Sequence, residues 1–213
     1  MHAKTTIIIA DDHPLFRGAL KQALSRPDGE TTIIEAGDFE AARKAAASRP
    51  DADLIMLDLT MPGVSGLTGL MMIRAEYQNI PVAVISASDD QPTIRRTFEL
   101  GASAFIRKSS GLDEIRTAIS TVLDGGLWMP PGYEADREHD GEIEALIARL
   151  KTLTPQQTRV LGMVAEGLLN KQIAYELGVS EATIKAHVSA ILLKLNVDSR
   201  TQAVIQLGKI GAI

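Results

Sequence analysis

The chain has 213 residues and a mass of 22.9 kDa, which allows one large domain or two small ones. Hydrophobic residues make up 45% and charged residues 23%, proportions that are typical of a folded globular protein. The absence of cysteine excludes a disulfide scaffold, thiol catalysis and cysteine-ligated metals. The chain shows neither a signal-peptide pattern nor an apolar run of the roughly 18 residues that a membrane helix needs. We therefore expect a cytoplasmic protein with no membrane partner.

The net charge of −5 is unevenly distributed along the chain. Residues 1–125 carry a net −4, residues 126–150 another −4, and residues 151–213 carry +3. A basic tail behind an acidic front favours a polyanionic partner for the tail. The excess is small, so a solvated surface is an equally good interpretation of the charge alone.

Residues 1–125 alternate short apolar runs with amphipathic helical patterns. Five strands are predicted at 7–10, 31–35, 54–57, 82–85 and 104–106. Helices are predicted at 15–23, after Asp38, and at 68–77, 92–100 and 112–123. This alternation predicts an α/β domain whose parallel sheet is covered by helices on both faces.

Residues 126–150 are rich in turn-forming and acidic residues and are predicted to be a linker that ends in a short amphipathic helix. Residues 151–213 are predicted to form a small all-helical domain. Each of its four helices has a predicted N-cap, and these caps are Thr154, Asn170, Ser180 and Ser199.

Polar side chains follow four of the predicted strands directly. Asp11 and Asp12 follow the first, Asp58 the third, Ser86 the fourth, and Lys108 the fifth. Parallel strands end at one edge of a sheet, where ligands bind. Three carboxylates at that edge suit a hard divalent cation such as Mg²⁺, while a lysine and a hydroxyl suit a phosphoryl group. A lone aspartate at a strand end is usually a helix cap, but the joint placement favours attack by a carboxylate on a phosphoryl donor.

Residues 5–125 resemble the receiver domain of two-component response regulators. The resemblance is carried by Ala10-Asp11-Asp12-His13-Pro14, by residues 58–66, by Ile85-Ser86-Ala87 and by residues 101–108. It implies a flavodoxin-like fold with Asp58 as the phosphoacceptor. It also assigns roles to the neighbouring residues: Mg²⁺ ligands Asp11, Asp12, Asp58 and the Thr60 carbonyl, phosphoryl-binding Lys108, switch hydroxyl Ser86 and switch aromatic Phe105. On the sequence pattern alone, Phe105 would be assigned to the core, because a single aromatic in an apolar strand is more often a core residue.

The tail contains a helix, a glycine turn and a second helix, which is the pattern of a helix-turn-helix. Apolar spacing in the second helix leaves Lys185, Ala186, His187 and Ser189 as candidates for its outer face. A small three-helix interaction module with a few exposed cations is the alternative. A metal site at His187 is disfavoured, because no second histidine or acid lies at ligand spacing.

Residues 152–207 resemble the LuxR-type DNA-binding domain of the NarL/FixJ response regulators. Leu153-Thr154-Pro155, residues 170–174, residues 177–188 and residues 194–203 carry the resemblance. The chain departs from the family pattern at Gln157 and Arg159, where acids are usual. It also departs at Ser189, where the recognition helix of the family often has a further polar or basic residue. The predicted DNA-contacting residues are Lys171, Thr183, Lys185, Ala186, His187, Ser189, Lys194 and Arg200.

Together these features predict a phosphorylation-controlled transcription regulator rather than an enzyme. The expected partners are a sensor histidine kinase, double-stranded DNA and a second copy of the chain after phosphorylation. Two alternatives stay open. One is a phosphohydrolase with an aspartyl-phosphate intermediate, although Thr60 stands where such enzymes need a second acid. The other is an interaction protein whose tail binds protein or RNA.

Overall fold

A computed structural model of the chain describes residues 4–25, 31–133 and 140–212. Five parallel strands form one sheet, as the alternation of elements predicts, and their order is β2-β1-β3-β6-β7. Two further strands, β4 and β5, form a short hairpin that the sequence pattern did not predict, because two-residue strands leave no periodicity. The strands are β1 (Thr5–Ala10), β2 (Thr31–Ala36), β3 (Leu54–Asp58), β4 (Thr60–Met61), β5 (Val64–Ser65), β6 (Val82–Ser86) and β7 (Ala104–Arg107).

Five helices surround the sheet and five more follow it within the described residues. Asp38 caps the second helix by accepting a hydrogen bond from the Ala41 amide at 2.7 Å, as predicted. Asn170 is the first residue of its helix rather than the predicted cap, because the Gln172 side chain caps the preceding Leu169 amide at 2.7 Å. The helices are α1 (Pro14–Leu24), α2 (Phe39–Ser48), α3 (Thr68–Glu76), α4 (Gln91–Glu99), α5 (Leu112–Leu123), α6 (Gly141–Leu150), α7 (Pro155–Ala165), α8 (Asn170–Leu177), α9 (Glu181–Leu195) and α10 (Arg200–Lys209).

Side chains of the central strands alternate between the two faces of the sheet. On β1, Ile7 and Ile9 pack with residues of α1 and α5, whereas Ile8 packs on the opposite face with residues of α2 and α3. The apolar core that contains Ile8 continues without interruption into the carboxyl-terminal helices. The sheet face that α3 covers is therefore linked by packing to the helical domain.

The segment between the sheet and the tail is attached at both ends. Trp128 forms a parallel bridge with Ala104, which adds one residue of pairing to the edge strand β7. The Tyr133 ring lies 6.2 Å from the Phe98 ring on α4. Further on, α6 buries its apolar face against the carboxyl-terminal helices, and Arg149 donates a hydrogen bond to the Leu195 carbonyl at 3.4 Å. No helix within the described residues is long and apolar enough to cross a membrane.

Candidate functional site

Polar side chains from four strands converge at the carboxyl edge of the sheet. Asp11 follows β1, Asp58 ends β3, Ser86 ends β6 and Lys108 follows β7. Asp58 pairs in register with Ile85, one residue before Ser86, because β3 and β6 are neighbouring parallel strands. Asp11 is only 1% exposed and Asp58 2%. The sheet order therefore gathers these residues into one buried pocket.

Lys108 bridges the two most buried carboxylates of the pocket. Its Nζ lies 2.7 Å from Oδ2 of Asp58 and 2.8 Å from Oδ2 of Asp11. Burial raises the pKa of Asp58, and the hydrogen bonds from Lys108 and the Thr60 amide offset this only in part. Burial acts to lower the pKa of Lys108, but the contacts with both carboxylates outweigh it and raise that pKa. The pocket thus holds a charged ammonium between two carboxylates.

The second oxygen of Asp58 is held by the backbone that follows it. The Thr60 amide donates to Oδ1 of Asp58 at 3.1 Å, and Thr60 begins the β4–β5 hairpin. The side chain of Thr60 is exposed at the rim of the pocket. The conformation of this hairpin and the position of the Asp58 carboxylate are therefore linked by a direct hydrogen bond.

His13 stands beside the acidic residues, a placement that the sequence analysis did not assign to it. Its Nδ1 lies 2.6 Å from Oδ1 of Asp12 and 3.3 Å from Oδ1 of Asp11. Side-chain donor atoms of Asp11, Asp12, His13 and Asp58 all lie within 4.8 Å of one another. Apart from this contact with His13, Oδ1 of Asp12 is buried and has no hydrogen-bond partner in the part of the chain that the structure describes. Clustered carboxylate oxygens of this kind fit a hard divalent cation such as Mg²⁺.

The two predicted switch residues lie at different depths near the pocket. Ser86 is 4% exposed, and its Oγ accepts a hydrogen bond from the Ser88 amide at 3.1 Å. Its hydroxyl proton is thereby left for another acceptor. Phe105 is fully buried in β7, and its amide donates to the Trp128 carbonyl at 3.2 Å. Phe105 therefore contacts both the core and the segment that leaves the sheet.

In the helical domain, α8 and α9 form the predicted helix-turn-helix. Gly178 ends α8 in the left-handed conformation with φ of 65°, which favours glycine. Ser180 caps α9 by accepting a hydrogen bond from the Thr183 amide at 3.1 Å. Ile184 and Ile191 are buried on the inner face of α9. Its other face is consequently directed outward.

The predicted DNA-contacting residues divide into two groups. Lys185, on the exposed face of α9, pairs with Glu181 at 3.1 Å. Lys194 donates to the Thr152 carbonyl at 2.7 Å and to Oε1 of Gln157 at 2.8 Å. Arg200 donates to the Val164 carbonyl in α7 and to the Leu168 carbonyl after it. The exposed residues are Lys171, Thr183, Lys185, Ala186 and Ser189, and the partly buried ones are His187, Lys194 and Arg200.

Two of the three residues that depart from the family pattern, Gln157 and Arg159, lie on α7. Gln157 is buried and completes the capping box of α7, since its Oε1 also accepts a hydrogen bond from the Thr154 amide at 3.0 Å. Arg159 lines a crevice between the two domains together with Glu40, Met72 and Glu166. Burial raises the pKa of Glu166. Gln157 and Arg159 thus lie away from the outer face of α9, whereas Ser189, the other departure, is exposed on that helix.

Comparison with known proteins gives matches to both domains. The model of the response regulator receiver domain matches residues 7–120, and that of bacterial regulatory proteins of the luxR family matches residues 151–207. The glycerol metabolism activator of Pseudomonas putida is 41% identical, with 96% of this chain and 95% of that protein aligned. The nitrate/nitrite response regulator NarP of Escherichia coli is 35% identical, with 93% and 92% aligned. The structure of RcsB in a DNA complex is similar in fold, with a TM-score of 0.55 at 22% identity over 96% of this chain and 98% of that one.

Proposed function

Because the chain belongs to the response regulators that join a receiver domain to a LuxR-type DNA-binding domain, we propose that it is controlled by phosphorylation of Asp58. Regulators of this family are transcription factors of two-component systems, and the chain is one of them. The observation that carries the assignment to Asp58 is the contact of Lys108 with both Asp58 and Asp11 in a buried pocket. A carboxylate held there beside a fixed cation is suited to accept a dianionic group.

In the proposed reaction, an oxygen of Asp58 forms a bond to phosphorus while the bond between phosphorus and the donor's leaving group breaks. For a sensor histidine kinase the leaving group is an imidazole nitrogen, and for a small donor it is a carboxylate. Lys108 then exchanges its contact with Oδ2 of Asp58 for one with a phosphoryl oxygen. Mg²⁺, held by Asp11, Asp12, Asp58 and the Thr60 carbonyl, would neutralise charge on the transferred group.

The response to phosphorylation is proposed to start at Ser86 and Phe105. The hydroxyl proton of Ser86 is available to donate to a phosphoryl oxygen, because its oxygen already accepts from the Ser88 amide. A movement of Ser86 toward the phosphoryl group would reach the neighbouring strand β7, where the Phe105 amide is bonded to the Trp128 carbonyl. The linker is thereby placed to follow the state of the pocket.

The partner of the helical domain is proposed to be double-stranded DNA, read by the outer face of α9 in the major groove. The exposed residues of the helix-turn-helix support this, and His187 is a further candidate on α9. Lys194 and Arg200 remain predicted phosphate contacts, since each has donor protons beyond those that it uses within the protein. A charge of +3 on residues 151–213 gives one copy few phosphate contacts, which favours binding as a homodimer.

We further propose that residues 1–125 form the receiver domain, 126–150 the linker and 151–213 the DNA-binding domain. The packing of α6 on the carboxyl-terminal helices supports a linker whose last residues associate with the DNA-binding domain. The chain is proposed to act without enzymatic turnover, because Thr60 stands where a phosphohydrolase would need its second acid.

The test is labelling with a small acyl-phosphate donor and Mg²⁺, followed by intact mass measurement. The parent is expected to gain one phosphate, and Asp58→Asn or chelation of the metal is expected to abolish the gain. Asp113→Asn is the matched control, because the Asp113 side chain is 99% exposed and lies outside the pocket. A phosphate on the Asn variant would contradict the assignment, and continuous release of many phosphates per chain would favour the phosphohydrolase.

A further inference from the structure

His13 is anchored by its backbone beside the acidic residues of the pocket. It directly follows Asp11 and Asp12, and its amide donates a hydrogen bond to Oδ1 of Asp11 at 2.7 Å. It is also the N-cap residue of α1, and its carbonyl accepts a hydrogen bond from the Arg17 amide at 3.0 Å. The imidazole itself takes no part in capping the helix. The ring is therefore held near the carboxylates without being used by α1.

The imidazole nitrogen that faces these acids lies within coordination range of them. Nδ1 of His13 is 2.6 Å from Oδ1 of Asp12 and 3.3 Å from Oδ1 of Asp11. Ligand atoms at adjacent positions around one divalent ion are about 3 Å apart, because each bond to the metal is about 2.1 Å long. The two measured distances lie on either side of this value. One ion can thus contact Nδ1 and both carboxylate oxygens after small movements of the side chains.

The lysine of the pocket leaves Asp12 without a permanent cation. Lys108 contacts Oδ2 of Asp58 and Oδ2 of Asp11. Within the described residues no lysine or arginine pairs with Asp12, whose ion-pair partner there is His13. Oδ1 of Asp12 is nevertheless a buried atom. A metal cation bound at Asp12 would therefore balance a charge that Lys108 does not reach, and it would lie next to the imidazole.

Nitrogen and oxygen ligands favour different divalent ions. Mg²⁺ prefers oxygen ligands and keeps several of its waters, so an imidazole adds little to its binding. Imidazole is a good ligand for later first-row transition metals such as Zn²⁺, which also accept carboxylates. A pocket with three carboxylates and one imidazole should therefore hold Zn²⁺ more tightly than the same carboxylates alone. In this chain, four donor side chains whose ligand atoms lie within 4.8 Å of one another supply that set.

We infer that His13 is a ligand of the metal ion in this pocket, and that it selectively strengthens the binding of later first-row transition-metal ions, of the class of Zn²⁺, relative to Mg²⁺. This inference deepens the proposed function and rests on it, since both concern the ion beside Asp58. The carboxylates attract any divalent ion, and the imidazole decides which ion is held most tightly. The His13 side chain is 66% exposed, so its ring has room to turn from Asp12 to the ion.

The test is titration calorimetry of the full chain with Zn²⁺ and, separately, with Mg²⁺, in the absence of a phosphodonor. His13→Gln keeps a side-chain hydrogen-bond donor for Asp12 but has no imidazole nitrogen. We expect its affinity for Zn²⁺ to fall about tenfold or more and its affinity for Mg²⁺ to change less than about twofold.

Two further variants locate the effect. His187→Gln is the matched control, because His187 belongs to no cluster of metal-binding side chains within the described residues, and both affinities should stay unchanged. Asp12→Asn removes a carboxylate that both ions use, and it should weaken the binding of Zn²⁺ and of Mg²⁺ alike.

A second measurement observes the nitrogen directly. In chains that carry ¹⁵N-labelled histidine, coordination through Nδ1 fixes the tautomer with a proton on Nε2 and moves the Nδ1 signal to the position of a metal-bound nitrogen. Saturation with Zn²⁺ is expected to do this to one histidine, whose signals are missing in His13→Gln. Saturation with Mg²⁺ should leave the same ring signals in place.

Several outcomes would overturn the role of His13. One is a His13→Gln variant that binds Zn²⁺ as tightly as the parent. Another is an equal loss of Zn²⁺ and Mg²⁺ affinity, which would show that His13 only orients the acids. Ring signals of His13 that do not respond to saturating Zn²⁺ would also overturn it. A chain that gains no phosphate on Asp58 would count against the proposed function instead, and the zinc titration, which needs no donor, would still test His13.

Discussion

The receiver pocket and the outer face of α9 use charge in opposite ways. In the pocket, Lys108 lies within 2.8 Å of two carboxylates that are almost fully buried. On α9, Lys185 pairs with Glu181 in a contact whose two side chains are 65% and 47% exposed. Charge interactions are strong where water is excluded and weak where it is not. The pocket is therefore organised before its ligand arrives, whereas the helix face acquires its interactions only with DNA.

The largest effect that would test this contrast is expected from Lys108→Met. The change leaves two buried carboxylates without their cation, so we expect the free energy of unfolding to fall by about 3–5 kcal/mol. Urea denaturation in the presence of a chelator measures this loss. The control is Lys21→Met, which removes an exposed contact with Glu35 of the same 2.7 Å length and should cost less than about 1 kcal/mol.

The pH dependence of the same pair gives a second check on the Lys108 prediction. The pKa of Lys108 is raised in the folded chain, so its stabilising contribution is complete below about pH 10 and is lost as the pH rises through the raised pKa. The difference between parent and Lys108→Met should accordingly be constant from neutral pH to about pH 10 and narrow in alkali. A difference that grows with alkaline pH would contradict the charged pairing.

The next effect concerns Ser86, which joins the pocket to the rest of the molecule. Ser86→Ala should leave Asp58 able to accept a phosphoryl group, while removing a hydrogen bond to a charged ligand that is worth about 1.5–3 kcal/mol. We expect the phosphorylation-dependent gain in DNA affinity to fall about tenfold or more, as measured by DNA binding with and without donor. Ser110→Ala, a half-exposed serine beyond β7, is the control. A full gain in the Ser86 variant would mean that the response passes through other residues.

The smallest effect is expected on the exposed face of α9. Lys185→Ala should cost about 1–3 kcal/mol per half-site if its ammonium reads a base, with the loss confined to the specific sequence. If it touches phosphate, specific and random DNA should weaken alike. Glu181→Gln is the companion variant, because it removes the salt-bridge partner of Lys185 and one negative charge, and should strengthen binding slightly. Titrations on both DNAs at several salt concentrations separate these cases.

The convergence of Asp11, Asp58 and Lys108 could be predicted from the sequence because each directly follows or ends a strand. Parallel pairing then leaves little freedom in where such residues meet. The family resemblance supplied what the pattern could not, such as the assignment of Phe105, which on its burial alone is a core residue. The preference of aspartate for N-cap positions also correctly predicted the cap of α2 at Asp38.

Two of the contacts that sequence reasoning missed join residues far apart in the chain. The contact of Thr68 with Ala212 spans 144 positions, and Lys194 reaches Gln157 over 37. Neither leaves a periodic signal in the sequence. The cap at Leu169 was missed for a different reason, since a glutamine side chain took over a role that the neighbouring asparagine also suits.

The bridge between Trp128 and Ala104 has a practical consequence for following the molecule in solution. Trp128 is the single tryptophan of the chain, and its carbonyl is bonded to the Phe105 amide. Its indole Nε1 is buried and has no hydrogen-bond partner among the described residues. Indole emission depends on the polarity and hydrogen bonding around the ring. A shift of β7 would therefore change the emission maximum or the intensity of the intrinsic fluorescence. Trp128 can thus report, without any added label, on the strand that is proposed to move.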